Sequence, residues 1–328
     1  MNFPDKLYNQ IEISNPIIEE LINTRPFQRL KEINQYGGVN FVHPDKYQVT
    51  RYQHSLGVYH VLKTLGADLE TQVAGLLHDI GHTALSHMYD MALGTHKEDN
   101  HEQIMHKLEG WNELQKVLHD NNLSISNPDN YALIKKALPD IGADRFDYAL
   151  RDYYFATNDF NDLPLKLLKD LGTDDQGIYF NSVGLARTFA ETGNKAQECV
   201  VYEPSLAIIY QSLINTIRIG FKEKWLSDND FLKTDKHIIE IMMQHKTSLP
   251  EKYIGVFNQK FTVEETTKED ADFEFIKLKS RYFDPRVKTN LGTRRVSELD
   301  SDFKAELEKY IAMFERAKSG IYYKVKFI

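Results

Sequence analysis

Residues 73–90 read VAGLLHDIGHTALSHMYD. Val73 to Leu77 form a short apolar run that ends in an imidazole–carboxylate pair, His78-Asp79, with Gly81 close behind. Adjacent side chains on a helix do not share a face. At a helix end both can still turn toward one ion lying beside the terminus. Asp68 is placed to cap this helix, and Gly66 ends the helix before it, which starts near Gln53 and carries His54 in RYQHSLG. Asp144 opens a later helix in IGADRFDY. Two imidazoles and two carboxylates make a borderline-to-hard N/O donor set, suited to Mn, Fe, Co, Ni or Mg rather than to a thiolate-seeking ion. Each residue also has an ordinary structural use. His54 serves as a hydrogen-bonded core histidine, His78-Asp79 as a helix end, and Asp144 as a first-turn acid favoured by the helix dipole.

The bulk numbers fit a helical globular chain with a sizeable core. Of 328 residues, 41% are hydrophobic and 27% charged, with 40 basic against 48 acidic residues and a formal charge of -8. That balance opposes indiscriminate binding to nucleic acid or anionic membrane, where basic surface supplies much of the affinity. A metal or a local cluster still permits a small anionic substrate. Cys199 is the single cysteine, so no intrachain disulfide or thiolate metal cluster can form. The N-terminus lacks the apolar run of a signal peptide, and no stretch is long enough to cross a bilayer, so the expectation is a cytoplasmic protein.

Outward from the quoted stretch, the spacing of Ile17, Ile18, Leu21, Ile22, Phe27, Leu30 and Ile33 predicts one buried stripe, split by Pro26 into two short helices. A loop follows from Gly37-Gly38 through Asp45, with a weak hairpin signal. Beyond a polar loop at NNLSISNPDN, helices are expected at 131–138, from Ala143 through ADRFDYALRDYYF, at 183–192 and at 204–222, with a short strand or turn at 176–184. After residue 250, FEFIKLKSRYF alternates as a strand, a helix runs from about Glu298 to Lys318, and IYYKVKF ends the chain as a strand. The expected architecture is mainly α, a helical domain over 1–250 with a small α+β subdomain over 251–328 packed on it.

Five ordered stretches then carry a resemblance: PFQRLKEINQYGG, TRYQHSLGVYHV, AGLLHDIGHTALSH, HE at 101–102 and GADRFDYALRD, spanning about residues 17 to 155. The sequence resembles the HD superfamily of metal-dependent phosphohydrolases, in its deoxynucleoside triphosphate triphosphohydrolase-like branch. The resemblance implies an HD-type helical bundle and one divalent metal ion on His54, His78, Asp79 and Asp144. It also implies hydrolysis of deoxynucleoside triphosphates to deoxynucleoside and inorganic triphosphate, by a chain that forms a homo-oligomer. By the same resemblance His82 and His101 are catalytic groups, Asp90 orients His101, and His87 contacts a phosphate and serves as leaving-group acid. Arg51, on the helical face of His54, and Arg145 match phosphate-binding residues, Tyr148 lines the pocket, and Asp152 and Gln35 share a sugar 3′-hydroxyl. The i, i+4, i+8 spacing of Asp144, Tyr148 and Asp152 independently puts them on one helix face.

The match weakens where such enzymes carry a further arginine for the distal phosphates. The comparable region reads CVVYEPSLAIIYQSLIN, and Arg218 arrives later as a substitute or a surface residue. Two other readings therefore stand beside the first: an HD phosphohydrolase acting on a nucleoside monophosphate or other phosphate ester, and a catalytically silent nucleotide-binding module. Intact His82, His87 and His101 speak against the silent module, because plain binding has little need of proton-transfer groups. Segment 277–295 holds seven basic residues and one acid. It reads as a nucleotide or nucleic-acid contact at a subunit boundary, or as a solvated surface.

Overall fold

The computed structural model describes residues 1–94, 104–200, 203–275, 281–318 and 320–328. A hairpin of β1 (Asn2–Asp5) and β2 (Asn9–Glu12), not anticipated above, opens the chain. Pro26 then splits the apolar stripe as expected into α1 (Pro16–Asn23) and α2 (Arg25–Arg29). The loop after Gly37-Gly38 forms a 3₁₀ turn at Val39–Phe41 in place of a hairpin. Its two ends are drawn together by a single antiparallel bridge between Asn34 and Thr50.

Thr50 also sets the start of α3 (Arg51–Thr64). Its hydroxyl accepts from the Gln53 backbone N–H at 3.2 Å, and the Gln53 side chain accepts from the Thr50 N–H at 3.0 Å. This capping box fixes where the helix begins. Gly66, at φ +71°, breaks the chain between helices, and Asp68 caps α4 (Leu69–Leu77) through the Thr71 N–H at 2.7 Å. Short α5 (Met88–Ala92) and then α6 (Trp111–Asp120) follow.

Residues 131–138 are not a helix. The carbonyls of Leu133 and Ile134 accept from the N–H groups of Ala143 (2.7 Å) and Asp144 (3.3 Å), so tertiary pairing takes the acceptors that a helix would use. That pairing anchors the start of α7 (Ala143–Thr157). Next come α8 (Leu163–Lys169), the hairpin β3 (Leu171–Asp174) and β4 (Gly177–Phe180), α9 (Val183–Val200) and α10 (Pro204–Glu223). Helix α9 runs well past the expected residue 192.

The main core lies among α3, α4, α7, α9 and α10. Phe146 of α7 stacks on Phe189 of α9 at 5.1 Å between ring centres, and Phe283 meets Phe189 edge-on at 5.6 Å. Each fully buried Phe contributes about 1.5–3 kcal/mol of hydrophobic stabilisation. Short helices α11 (Asp228–Phe231), α12 (Asp235–Gln244) and α13 (Glu251–Ile254) lead to two sheets. In one, β7 (Arg286–Thr289) and β8 (Gly292–Arg295) join the hairpin in the order β3-β4-β7-β8, with β4 and β7 parallel. The other, in the order β5-β9-β6 (Phe261–Glu265, Ile321–Phe327, Phe273–Phe275), covers α10 through Ile208, Phe273 and Tyr323. Helices α14 (Val296–Leu299) and α15 (Ser301–Lys318) lie between β8 and β9. The architecture is mainly α. No helix among the described residues is long and apolar enough to cross a membrane.

Candidate metal centre

Three helices bring the expected ligands together. His54 sits one turn into α3, His78 is the C-terminal cap of α4, and Asp144 lies in the first turn of α7. Each offers one ligand atom, and these atoms lie within 4.8 Å of one another. The Nε2 atoms of His54 and His78 are 3.2 Å apart, and Asp144 Oδ1 stands 3.1 Å from the first and 3.6 Å from the second. Asp79, also expected as a ligand, stands beside this group of three rather than within it, with Oδ1 3.3 Å from His78 Nε2 and Oδ2 3.8 Å from His54 Nε2.

The outer hydrogen bonds of the two rings show that this donor set fits a cation. His54 Nδ1 faces Asp147 Oδ2 at 2.7 Å, and His78 Nδ1 faces the Gly75 carbonyl at 2.7 Å. Both partners only accept, so both Nδ1 atoms carry hydrogen and, in the neutral rings, both Nε2 atoms present lone pairs to each other. Opposed lone pairs beside two carboxylates call for positive charge between them, which a divalent ion or a proton on His54 can supply. Burial works against charge on His54, yet hydrogen bonds to Asp144 and Asp147 outweigh it and lift its pKa to about 9. Burial likewise disfavours ionised Asp79 and Asp144. Arg51 and His78 around Asp79, and His54 and His78 around Asp144, prevail and hold both well below the ordinary carboxylate range.

Asp147, which the sequence reading passed over, anchors the centre. It is fully buried. Besides His54 it accepts from Arg151 Nε at 2.6 Å and from the Tyr8 hydroxyl at 2.9 Å, and Arg151 also pairs with Asp5 at 2.9 Å. The N-terminal hairpin is thus tied to His54 through two side chains. The close approach of α3 and α7 depends on Gly57, where a Cβ would stand 2.0 Å from Asp147 Oδ1. The available sequence signals were the i+3 spacing of Asp147 from Asp144 and its i+4 spacing to Arg151.

Arg51 is buried and spans two partners. Its Nη1 meets Asp79 Oδ2 at 2.7 Å and its Nε donates to Ser86 Oγ at 3.1 Å. Ser86 and Leu85 both hold positive φ, at 50° and 59°, a region costing about 1–2 kcal/mol per non-glycine residue. Asp235 offsets this by accepting from the Leu85 and Asn34 N–H groups, each at 2.7 Å, while Ser86 Oγ donates to the Asn34 carbonyl. His82 is buried with Nε2 3.3 Å from Asp79 Oδ1, and its ring lies nearly perpendicular to that of His87 at 4.8 Å. Asp90 is fully buried in α5. His101 lies outside the described residues.

Farther along α7, Gln35 Nε2 donates to Asp152 Oδ1 at 3.4 Å. Burial outweighs neighbouring donors and cations there and pushes the Asp152 pKa up to about 6. Arg145 donates to the Asp140 carbonyl and, at 3.3 Å, to the Tyr148 hydroxyl. The Arg281 guanidinium lies 5.7 Å from the Tyr148 ring centre. Arg218 is not at the site, since it donates to the carbonyls of Met91 and Ala92 at 3.1 Å and caps α5. A cavity of about 290 Å³ adjoins Asp144, lined by Asp129, Ile134, Lys135, Lys136 and Arg145. The two lysines were not singled out from the sequence.

The HD domain family matches residues 51–139. YdhJ of Bacillus subtilis, a protein described as uncharacterized, is 30% identical over 99% of each chain. The metal-dependent phosphohydrolase cns2 of Cordyceps militaris is 36% identical over 45% of this chain and 44% of its own. The SAMHD1 homolog of Dictyostelium discoideum, described as a deoxynucleoside triphosphate triphosphohydrolase, is 26% identical over 46% and 35% respectively. A hypothetical protein from Aquifex aeolicus shares the fold, with a TM-score of 0.67 at 21% identity over 97% of this chain and 99% of its own.

Proposed function

This chain belongs to the HD-domain family of metal-dependent phosphohydrolases, and from there we propose that it hydrolyses deoxynucleoside triphosphates to deoxynucleoside and inorganic triphosphate. One observation carries the substrate class: a single face of α7 presents a cation-demanding carboxylate, Asp144, at its start and a buried carboxylate with raised pKa, Asp152, eight residues on. At 1.5 Å per residue these stand about 12 Å apart along the helix axis. The first end suits phosphate, and the second, with Gln35 and Tyr148, suits a sugar hydroxyl.

In this reading His54, His78, Asp79 and Asp144 hold one divalent ion of the Mn, Mg, Fe, Ni or Co class. Bound there, the ion supplies charge neutralisation for phosphate oxygens and Lewis-acid polarisation. The chain's own residues do the rest. Arg51 holds Asp79 in place and turns its remaining donor toward phosphate. His82, 3.3 Å from Asp79, accepts the proton of the attacking water, with His101 as its counterpart and Asp90 orienting it. The water oxygen joins the α-phosphorus, the bond from that phosphorus to the 5′-oxygen breaks, and His87 protonates the departing oxygen. Arg145 adds positive charge near the phosphates. The same reading makes the protein a cytoplasmic homo-oligomer acting on a small nucleotide.

Each deoxynucleoside triphosphate, incubated with the protein and Mn or Mg, is expected to yield nucleoside plus triphosphate. Release of orthophosphate from a monophosphate substrate alone would favour the phosphate-ester reading. Absence of turnover with every metal of the class would leave a binding module.

A further inference from the structure

We propose that Lys135 and Lys136 form an anion subsite beside the metal centre that takes the distal phosphates of a polyphosphate chain. The inference rests on the nucleotide reading above for its substrate and on separate geometry for its location. The cavity adjoining Asp144 has a volume of about 290 Å³ and three cationic lining residues, Lys135, Lys136 and Arg145. Its acids are Asp129 and Asp144, and the charge of Asp144 is committed to the metal centre. What remains is a basic recess opening directly off a metal ligand. Its size is at the small end of ligand pockets, which suits a phosphate chain and leaves the nucleoside to the Tyr148–Asp152 side.

The backbone explains why the lysines are there. Hydrogen bonds from the Ala143 and Asp144 N–H groups to the Leu133 and Ile134 carbonyls pin 133–134 against the start of α7, so the two lysines that follow line the cavity beside the helix end that carries Asp144. Lys135 is partly exposed and held 3.4 Å from Asp129, itself 69% exposed. Such an exposed pair is weak and yields readily to a stronger anion. Arg218, the sequence candidate for distal phosphate, is occupied elsewhere, so the lysines supply charge that the distal phosphates otherwise lack.

The test uses metal-loaded full-length protein and two probes, inorganic triphosphate by calorimetry and deoxynucleoside triphosphates by initial rate. Lys135→Ala/Lys136→Ala is expected to weaken triphosphate binding at least tenfold and to raise KM for the triphosphate substrate by a similar factor, with bound metal unchanged. Asp129→Asn, which releases Lys135, is expected to tighten triphosphate binding up to about fivefold, an effect that damaged folding cannot mimic. Unchanged triphosphate affinity in both variants overturns the subsite even if turnover proves the nucleotide reading correct. Loss of triphosphate affinity in a protein that hydrolyses no nucleotide upholds the subsite while the nucleotide reading fails.

Discussion

The two ends of α7 carry the same residue type with opposite electrostatics. At the start, half-buried Asp144 and fully buried Asp147 face histidines and Arg151, and both carboxyls are held below their ordinary range. Two turns later Asp152 is also buried, but there burial prevails and its pKa climbs to about 6. Burial alone raises a carboxyl pKa, and only paired positive charge reverses it. Positive neighbours therefore dominate at the first end and burial at the second. A helix face of one spacing thus becomes a polar ruler with distinguishable ends.

Removing the cation-holding end gives the largest expected effect. Asp144→Ala should abolish stoichiometric metal binding by elemental analysis and reduce turnover to background. Retention of full metal content would mean that the three-helix convergence is not the metal site. Asp147→Asn tests the outer hydrogen bond to His54, and the metal dissociation constant should rise about 10–100-fold, as for other partners behind ligand histidines. An unchanged constant would reduce Asp147 to a packing role.

At the other end the effect is smaller and depends on pH. If ionised Asp152 accepts a sugar hydroxyl, wild-type KM rises as pH falls through about 6 and the carboxyl protonates. Asp152→Asn should start with KM raised by about two- to tenfold, the worth of one ordinary hydrogen bond, and lose that pH dependence. A variant profile still bending near pH 6 would assign the titration to another group.

Much of this site was legible before any coordinates. His54, His78, Asp79 and Asp144 meet because capping at Thr50 and Asp68 and the apolar periodicities define helices whose ends carry them. The pairing of Arg151 with an acid off the pocket face was also readable, since i+4 spacing put Asp147 within reach. Residues 131–138 misled because apolar spacing favours a helix there, whereas their carbonyls bond to the start of α7. Lys135 and Lys136 were not singled out for the same reason: their placement depends on a contact that local pattern does not encode.

The sequence by itself determined the helical class, the helix ends that carry His54, His78, Asp79 and Asp144, and the polar ordering of Asp144, Tyr148 and Asp152, because capping and 3.6-residue periodicity are local properties of the chain. Only the tertiary structure decided that Asp147 meets His54, that Gly57 lets α3 and α7 close to contact, that Arg218 caps α5, and that two lysines line the recess beside Asp144. Those facts depend on which segments lie side by side, and that is set by burial and hydrogen-bond satisfaction summed over the whole chain.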